Sequence, residues 1–379
     1  MTRSIALFVT VLVATASRAS AEPIPHETEA PYVDVLTFGV GEEIFERWGH
    51  TAICLRYHQP EHGPICFNYG VTDFDSGAVM VWSFLRGAQE FWVEASPRDV
   101  MVSLYADEDR EIWEQTLPLD ATQARAIEKR LWSDVDEKNR FYVYDHFTDN
   151  CTTRIRDMID DALGGTLRSR STAIYPNTYR QLGAEGLTEH PVLTQATDFL
   201  LGRTLDAHPT VWQAMFHPHV LRGQLEAQLG VVPVVLRQRS TPIPEPASTS
   251  RLPLLIVAVV VALGLVLATW RGRFERAALV IASLYLGAWG LVIYALAMLS
   301  TVDAMRWNEA VLVLMPLDLA LPLMSPVLRR RYAQLRVVGL LALSILCAVG
   351  VLHQPLGIPI LTAIMPLAVV AFGDRLARR

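Results

Sequence analysis

Cysteine is scarce. The chain has four in 379 residues, too few for a disulfide framework to carry the fold. A positive excess is also missing: the formal net charge is −6, with signs interleaved, which leaves no electrostatic footprint for nucleic acid. No cluster with metal-ligand spacing and no glycine-rich nucleotide loop appears, so no metal and no cofactor are expected. His58-Gln59-Pro60-Glu61-His62 fits an H-x-x-E-H pattern by its letters alone. Pro60 breaks the helix that would set both imidazoles on one face, so the stretch reads as a solvated loop. His190, His208, His217 and His219 lie beside prolines and read as turn residues.

Apolar residues are abundant and unevenly placed. Mean hydropathy is positive, too high for one ordinary soluble domain, and the length suggests two. Residues 1–21 read as a secretory signal. Arg3 supplies the charge, Ile5 to Val13 the apolar stretch and Ala19-Ser20-Ala21 a cleavage pattern. An uncleaved anchor is the alternative, and either way residues 22–237 lie outside the cytoplasm. Residues 238–250, rich in Pro, Ser and Thr, read as a linker. Residues 251–379 hold five apolar segments, Leu252–Trp270, Ala277–Leu299, Ala310–Val327, Val337–Leu352 and Ile358–Phe372, the last two near the lower limit for crossing ~30 Å of hydrocarbon. Alternate loops carry the arginines: Arg271, Arg273 and Arg276, then Arg329, Arg330 and Arg331, then Arg375, Arg378 and Arg379. That asymmetry predicts five spans with the C-terminus in the cytoplasm. Asp318, inside the third, needs a partner or a wet cavity.

In the exported half, Val33–Phe38, Thr51–Tyr57 and Ile65–Tyr69 read as strands, with a short helix near Glu42 to Arg47. Asp120 and Gln123 open a helix to about Trp132, and Phe141–Asp145 reads as a short strand. The most informative stretch is Asp149 to Ile159. Cys151, Ile155, Met158, Ile159 and Ala162 follow a helical stripe, Asn150 is an N-cap and Gly164-Gly165 a stop. Cys151 then sits in the first turn, where the macrodipole and free N–H groups lower a thiol's pKa and can receive an oxyanion. Alone, it reads more readily as a small buried apolar residue, since it belongs to the apolar stripe.

A base changes that balance, and His50 is the first choice, with His146 a rival. If Cys54 faces Cys66 across a hairpin, Ala52 faces Asn68 and His50 lies diagonal to Asn68 on the same sheet face. Asn68 would then orient the His50 imidazole beside Cys151, a Cys–His–polar constellation. Asp73 takes that role if the register slips. Cys54 and Cys66 are either a disulfide or two packing thiols.

A histidine opening a strand, a polar residue on the next, and a later Asn-Cys at a helix start resemble the circularly permuted papain-like families, the NlpC/P60 and lecithin–retinol acyltransferase group. Within it the chain is similar to the Lnb-type lipoprotein N-acyltransferases. The matching stretches are Arg47-Trp48-Gly49-His50-Thr51-Ala52, Phe67-Asn68-Tyr69-Gly70 with Asp73-Phe74-Asp75, and Phe84-Leu85-Arg86-Gly87. They continue in Tyr144-Asp145, in Asn150 to Asp157, in Asp198 to Gly202 before Trp212 to Leu221, and in Trp307-Asn308 and Pro316-Leu317. The resemblance implies an α+β permuted papain-like periplasmic domain on a five-helix membrane bundle in the bacterial inner membrane. It implies a two-step transfer from a phospholipid donor through a Cys151 thioester to the N-terminal amine of a diacylglyceryl-cysteine lipoprotein, with Trp48, Asn150 and Asp73 near the substrate. Trp82, Phe84, Phe91 and Trp92 are candidates to dip into the interface. The competing expectations are a membrane-anchored cysteine peptidase or amidase acting on cell-wall peptide, a phospholipase, and a non-catalytic module in which Cys151 only packs.

Overall fold

A computed structural model describes residues 29–43, 45–59, 61, 63–73, 78–187, 190–242 and 252–376. The expected signal segment, most of the expected linker, His62, Phe74-Asp75 and the arginines at 378 and 379 lie outside these.

Among the described residues, seven strands form one antiparallel sheet. In chain order they are β1 (Tyr32–Phe38), β2 (His50–Arg56), β3 (Ile65–Val71), β4 (Glu90–Pro97), β5 (Ile112–Thr116), β6 (Phe141–Val143) and β7 (Val234–Arg237). In space the order is β6-β4-β3-β2-β1-β5-β7. The central strands are covered on both faces, so β1 and β2 are almost continuously buried rather than alternating. Odd-numbered Val33, Val35, Ile53, Leu55, Phe67 and Tyr69 pack into one core, together with α3 (Ala121–Asp134) and α4 (Cys151–Ala162). Even-numbered Leu36, Phe38, Ala52, Cys54 and Cys66 face a smaller core with Met101 and Tyr105 of α2 (Arg98–Asp107). Between β3 and β4 comes the eight-residue α1 (Ala78–Leu85).

The β2–β3 hairpin has the register in which Cys54 opposes Cys66, and the two are joined by a disulfide. The capping box predicted at Asp120 and Gln123 is formed. The helix expected near Glu42 to Arg47 is absent among the described residues there, where turns run over Phe45 to Trp48. β4 corrects the reading of its aromatics as interface residues. Phe91 and Val93 point inward and are buried, while Trp92 lies on the other face and donates to Glu94.

Beyond residue 252 a second apolar core forms. Among the described residues, three helices are long and apolar enough to cross a membrane: Pro253–Arg271, Glu275–Leu299 and Pro326–Ala348. A fourth, Gly357–Leu376, is apolar over Gly357–Gly373. Two predicted boundaries need correction. The helix placed at Val337 starts at Pro326 and carries Arg329, Arg330 and Arg331 in its first turns. The span expected over Ala310–Val327 is no α-helix but two 3₁₀ segments, Glu309–Leu312 and Pro316–Leu323. Pro316 and Pro322 withhold two N–H groups and crowd the preceding turn. That segment packs closely on helix 275–299, where Gly287 and Gly290 leave room for the backbones of Leu319 and Met315.

Asp318 is fully buried there. It accepts from Tyr332 Oη at 2.6 Å and from Arg336 Nη2 at 3.0 Å, while Arg336 also donates to the Val313 carbonyl. The expected partner exists, and it sits on the neighbouring helix.

The two cores are stitched together. Asn308 Nδ2 donates to the carbonyls of Phe199 and Leu200, Gly202 N–H donates to Ala304 and Arg203 N–H to Trp307. Ser300 Oγ donates to the Leu85 carbonyl and Thr301 N–H to that of Arg86, at the end of α1. Gly202 is required at this seam, because a Cβ would overlap the Trp307 carbonyl.

Candidate active site

Three segments meet at one end of the sheet: the start of β2, the end of β3 and the start of α4. The α4 N-terminus is built by Asn150. Its Oδ1 accepts from the N–H groups of Thr152 and Thr153, both at 2.9 Å, and Thr153 Oγ1 accepts from Asn150 N–H at 2.8 Å, a reciprocal box. Such a cap contributes about 1 kcal/mol. Asn150 Nδ2 donates to the carbonyls of His146 and Phe216. With every polar atom of the side chain engaged, Asn150 builds the helix start and has nothing left for the substrate contact expected of it. Burial of Ile155 and Ile159, each worth ~1.5–3 kcal/mol, pins the helix against the sheet. Thr51 Oγ1 and Thr152 Oγ1 lie 3.0 Å apart across that contact.

His50 opens β2 with its ring stacked near Phe38 and Tyr105, centroids 6.0 and 5.8 Å away. Its Nε2 is 2.7 Å from Asn68 Oδ1. A carboxamide oxygen only accepts, so Nε2 carries the proton and Nδ1 is the free base in the neutral ring. Gly70, where β3 bulges, makes the meeting with Cys151 possible. Its φ is +146°, and a Cβ there would stand 3.3 Å from His50 Cε1 and 3.9 Å from Cys151 Cβ.

Cys151 is a free thiol, buried. Burial alone would raise its pKa. The charge of His50, a hydrogen bond with that imidazole, the Thr51 N–H and the Thr152 hydroxyl outweigh it and bring the thiol down to about 7. Around the pair lies a cavity of about 230 Å³, whose walls include Trp48, Asn68, Tyr105, Tyr144 and Phe216. A buried cysteine held as a partial thiolate beside an oriented imidazole is chemically a nucleophile with its base.

Residues 28–185 match the family model of the Lnb N-terminal periplasmic domain. The likeness is to an Lnb periplasmic domain, over these residues. No curated protein and no solved structure matches it. With helices long and apolar enough to cross a membrane, the chain is a membrane protein with a periplasmic N-terminal domain.

Other residues of this domain complete the cavity. Trp48 Nε1 donates to the Gly183 carbonyl at 2.9 Å, which fixes the indole as a wall. Asp73 is exposed and outside the cavity lining, so the orienting position beside His50 belongs to Asn68. His146 is boxed in by Trp48, Phe147 and Phe216, and burial lowers its pKa to about 4. Its Nε2 has no hydrogen-bond partner among the described residues, and it is not among the groups that hold the Cys151 thiolate.

Sequence reasoning missed one end of this cavity. Glu46 and Glu108 flank the buried Arg110 guanidinium, each 3.4 Å from Nη1, and Arg110 also stacks over Tyr105 at 4.5 Å. Burial raises the Glu46 carboxyl against the pull of Arg110. The signal was weak, since the three residues are spread over more than 60 positions and no local pattern links them. His217, read from the sequence as a turn residue, instead stands at the start of the helix Pro218–Leu229. It lines the cavity, is 5 % exposed and lies beside Glu185 and His219.

Proposed function

We propose that this protein is a lipoprotein N-acyltransferase. In the first half-reaction the Cys151 thiolate attacks the ester carbonyl of a phospholipid. The ester C–O bond breaks, the alkoxide takes the proton held by His50, and a lysophospholipid leaves a thioester on Cys151. In the second, the N-terminal amine of a diacylglyceryl-cysteine attacks the thioester carbonyl. Its proton passes to His50, the C–S bond breaks and the thiolate returns. A thioester is reactive enough toward an amine to make the transfer favourable.

The observation that carries the proposal is the placement of His50 between Asn68 and Cys151 at the mouth of a capped helix. Thr152 and Thr153 N–H are occupied by the Asn150 cap. Oxyanion stabilisation in this reading therefore falls to the Cys151 N–H and the helix dipole. A permuted papain-like arrangement agrees with the chain order His50, Asn68, Cys151 on adjacent strands and a following helix.

The membrane half supports the same reading. Ser300, Asn308 and Gln354 are held by Leu85, by Phe199 and Leu200, and by Asp198 of the periplasmic half, so these ends face the periplasm. The opposite ends carry Arg271, Arg273 and Arg276, and Arg329 to Arg331. We infer five crossings of the inner membrane, the third by the 3₁₀ segment, and a cytoplasmic C-terminus. Both lipid-anchored substrates would then reach Cys151 from the outer leaflet.

The test is incubation of the full chain in detergent with phospholipid, followed by mass spectrometry. An acyl adduct on Cys151 that hydroxylamine removes, absent in Cys151→Ala, and its transfer to a diacylglyceryl-cysteine peptide are expected. Release of free fatty acid alone would instead mark a phospholipase. Cleavage of cell-wall peptides without an adduct would mark a peptidase.

A further inference from the structure

The mechanism above leaves His217 unused, although it is among the more unusual groups in the domain. Its imidazole is 5 % exposed, and neither ring nitrogen makes a hydrogen bond among the described residues. Buried polar atoms ordinarily find partners, so two orphaned nitrogens on one ring require an explanation. Its polar neighbours are potential ligands rather than hydrogen-bonding groups. Glu185 Oε2 lies 3.7 Å from Nε2, beyond hydrogen-bond reach, and the His219 ring centroid is 4.2 Å away. One donor atom from each of Glu185, His217 and His219 falls within 4.8 Å of the other two.

We propose that Glu185, His217 and His219 form a binding site for one divalent transition-metal ion of the zinc class.

The chemistry and the size agree. Two imidazoles and one carboxylate are a ligand set that zinc accepts with a fourth position left to water, and the same donors suit cobalt and nickel. An ion at the centre of a triangle with 4.8 Å sides would stand about 2.8 Å from each corner, against ~2.0–2.2 Å for bound zinc. Closing that gap takes well under 1 Å per ligand. His219 is exposed and Glu185 half-buried, so the two outer ligands can move inward while His217 stays fixed. His219 also gives the ion a route from solvent.

The position gives the site a consequence. Glu185 ends the helix Tyr179–Glu185, while His217 and His219 flank Pro218 at the start of the helix Pro218–Leu229. An ion would tie these two helices together across about 30 residues of chain. His217 and Pro218 line the Cys151 cavity, and the adjoining Phe216 carbonyl accepts from Asn150, the residue that caps the helix of Cys151. Metal occupancy would therefore brace one wall of the cavity that holds the nucleophile.

The test uses the full chain in detergent with Cys151→Ala as the background, which removes the thiol as a rival ligand. After chelator treatment, Zn2+ is titrated calorimetrically and Co2+ by its visible spectrum. One ion per chain is expected, with the intense absorption of a four-coordinate cobalt site and a raised melting temperature. The rim variants His219→Ala and Glu185→Gln leave the buried ring in place and keep the fold. Each is expected to weaken Zn2+ binding at least tenfold and to abolish the melting shift. A folded protein that takes up no stoichiometric Zn2+ would overturn the proposal. Binding that both rim variants leave unchanged would overturn it too. Neither result bears on acyl transfer, which the thioester experiment decides separately.

Discussion

Replacing His50 with alanine is the sharpest probe of the nucleophile, because it removes the two largest influences that lower the Cys151 thiol and leaves the burial that raises it. The thiol stands at about 7 against an ordinary 9.0. Without His50 it should return to 9 or above, a change of at least ~2.7 kcal/mol in the balance of thiol and thiolate. At pH 7 the thiolate fraction then falls from about one half to ~1 %, roughly 50-fold. The more basic sulfur is also the better nucleophile, by ~6–10-fold for a Brønsted slope of ~0.4–0.5. Net alkylation by iodoacetamide at pH 7 should therefore drop only ~5–8-fold, while the rate at pH 10 should exceed that of the wild type. The direction follows from the lowered thiol. Wild-type reactivity climbs through pH 7 and levels off above it, whereas the variant keeps climbing through pH 9. The wild-type inflection belongs to the Cys–His pair as a unit. Rates come from mass spectrometry of the full chain in detergent, with the Cys151→Ala protein correcting for Cys347. Identical inflections in wild type and variant would refute the proposed pairing. So would a wild-type inflection near 9.

Three other predictions rest on single contacts. Asn68→Ala removes the acceptor that fixes His50 Nε2, a hydrogen bond to a ring that becomes charged and worth ~1.5–3 kcal/mol. Thioester formation should slow by ~10–100-fold with little change in melting temperature. Gly70→Ala sets a methyl 3.3 Å from His50 Cε1 at a φ of +146°. It should cost ~1–3 kcal/mol of stability and move the alkylation inflection of Cys151 upward. Asp318→Ala leaves Arg336 buried without its carboxylate, which should destabilise the helical half by ~3–5 kcal/mol in thermal unfolding. Replacing both by apolar residues of similar volume should restore much of that loss.

The heart of the site was legible because its determinants are local or repeat with a fixed period. Asn150, Thr153 and the stripe of Ile155, Met158 and Ile159 announce a capped helix within ten residues. The hairpin register followed from two cysteines opposed across one short loop, and the register alone puts His50 beside Asn68. Other parts had no local signature. β5 and β7 are short, and β7 is exposed at the sheet edge. Trp82 and Phe84 of α1 and Phe91 of β4 looked alike as aromatics, yet Trp82 is exposed and Phe91 buried. That distinction depends on the strands packed alongside. Glu185 and His217 are 32 positions apart, and nothing between them shows that their helices converge.

The third apolar segment of the membrane half shows how hydropathy and conformation come apart. Residues 310–327 are apolar enough to suggest a span, and transfer energetics judges only composition. An α-helix also needs its N–H groups, and Pro316 and Pro322 remove two of them within seven residues. In lipid such a backbone would expose unsatisfied carbonyls, so it is tolerated only where protein covers it. Gly287 and Gly290 on the neighbouring helix admit that backbone, Ser283 Oγ donates to the Leu319 carbonyl, and Arg336 takes both the Val313 carbonyl and Asp318. The prolines, the two glycines, the serine and the buried ion pair are thus one adaptation distributed over three segments. Asp318 and Arg336 are there because a broken helix must be satisfied from outside itself.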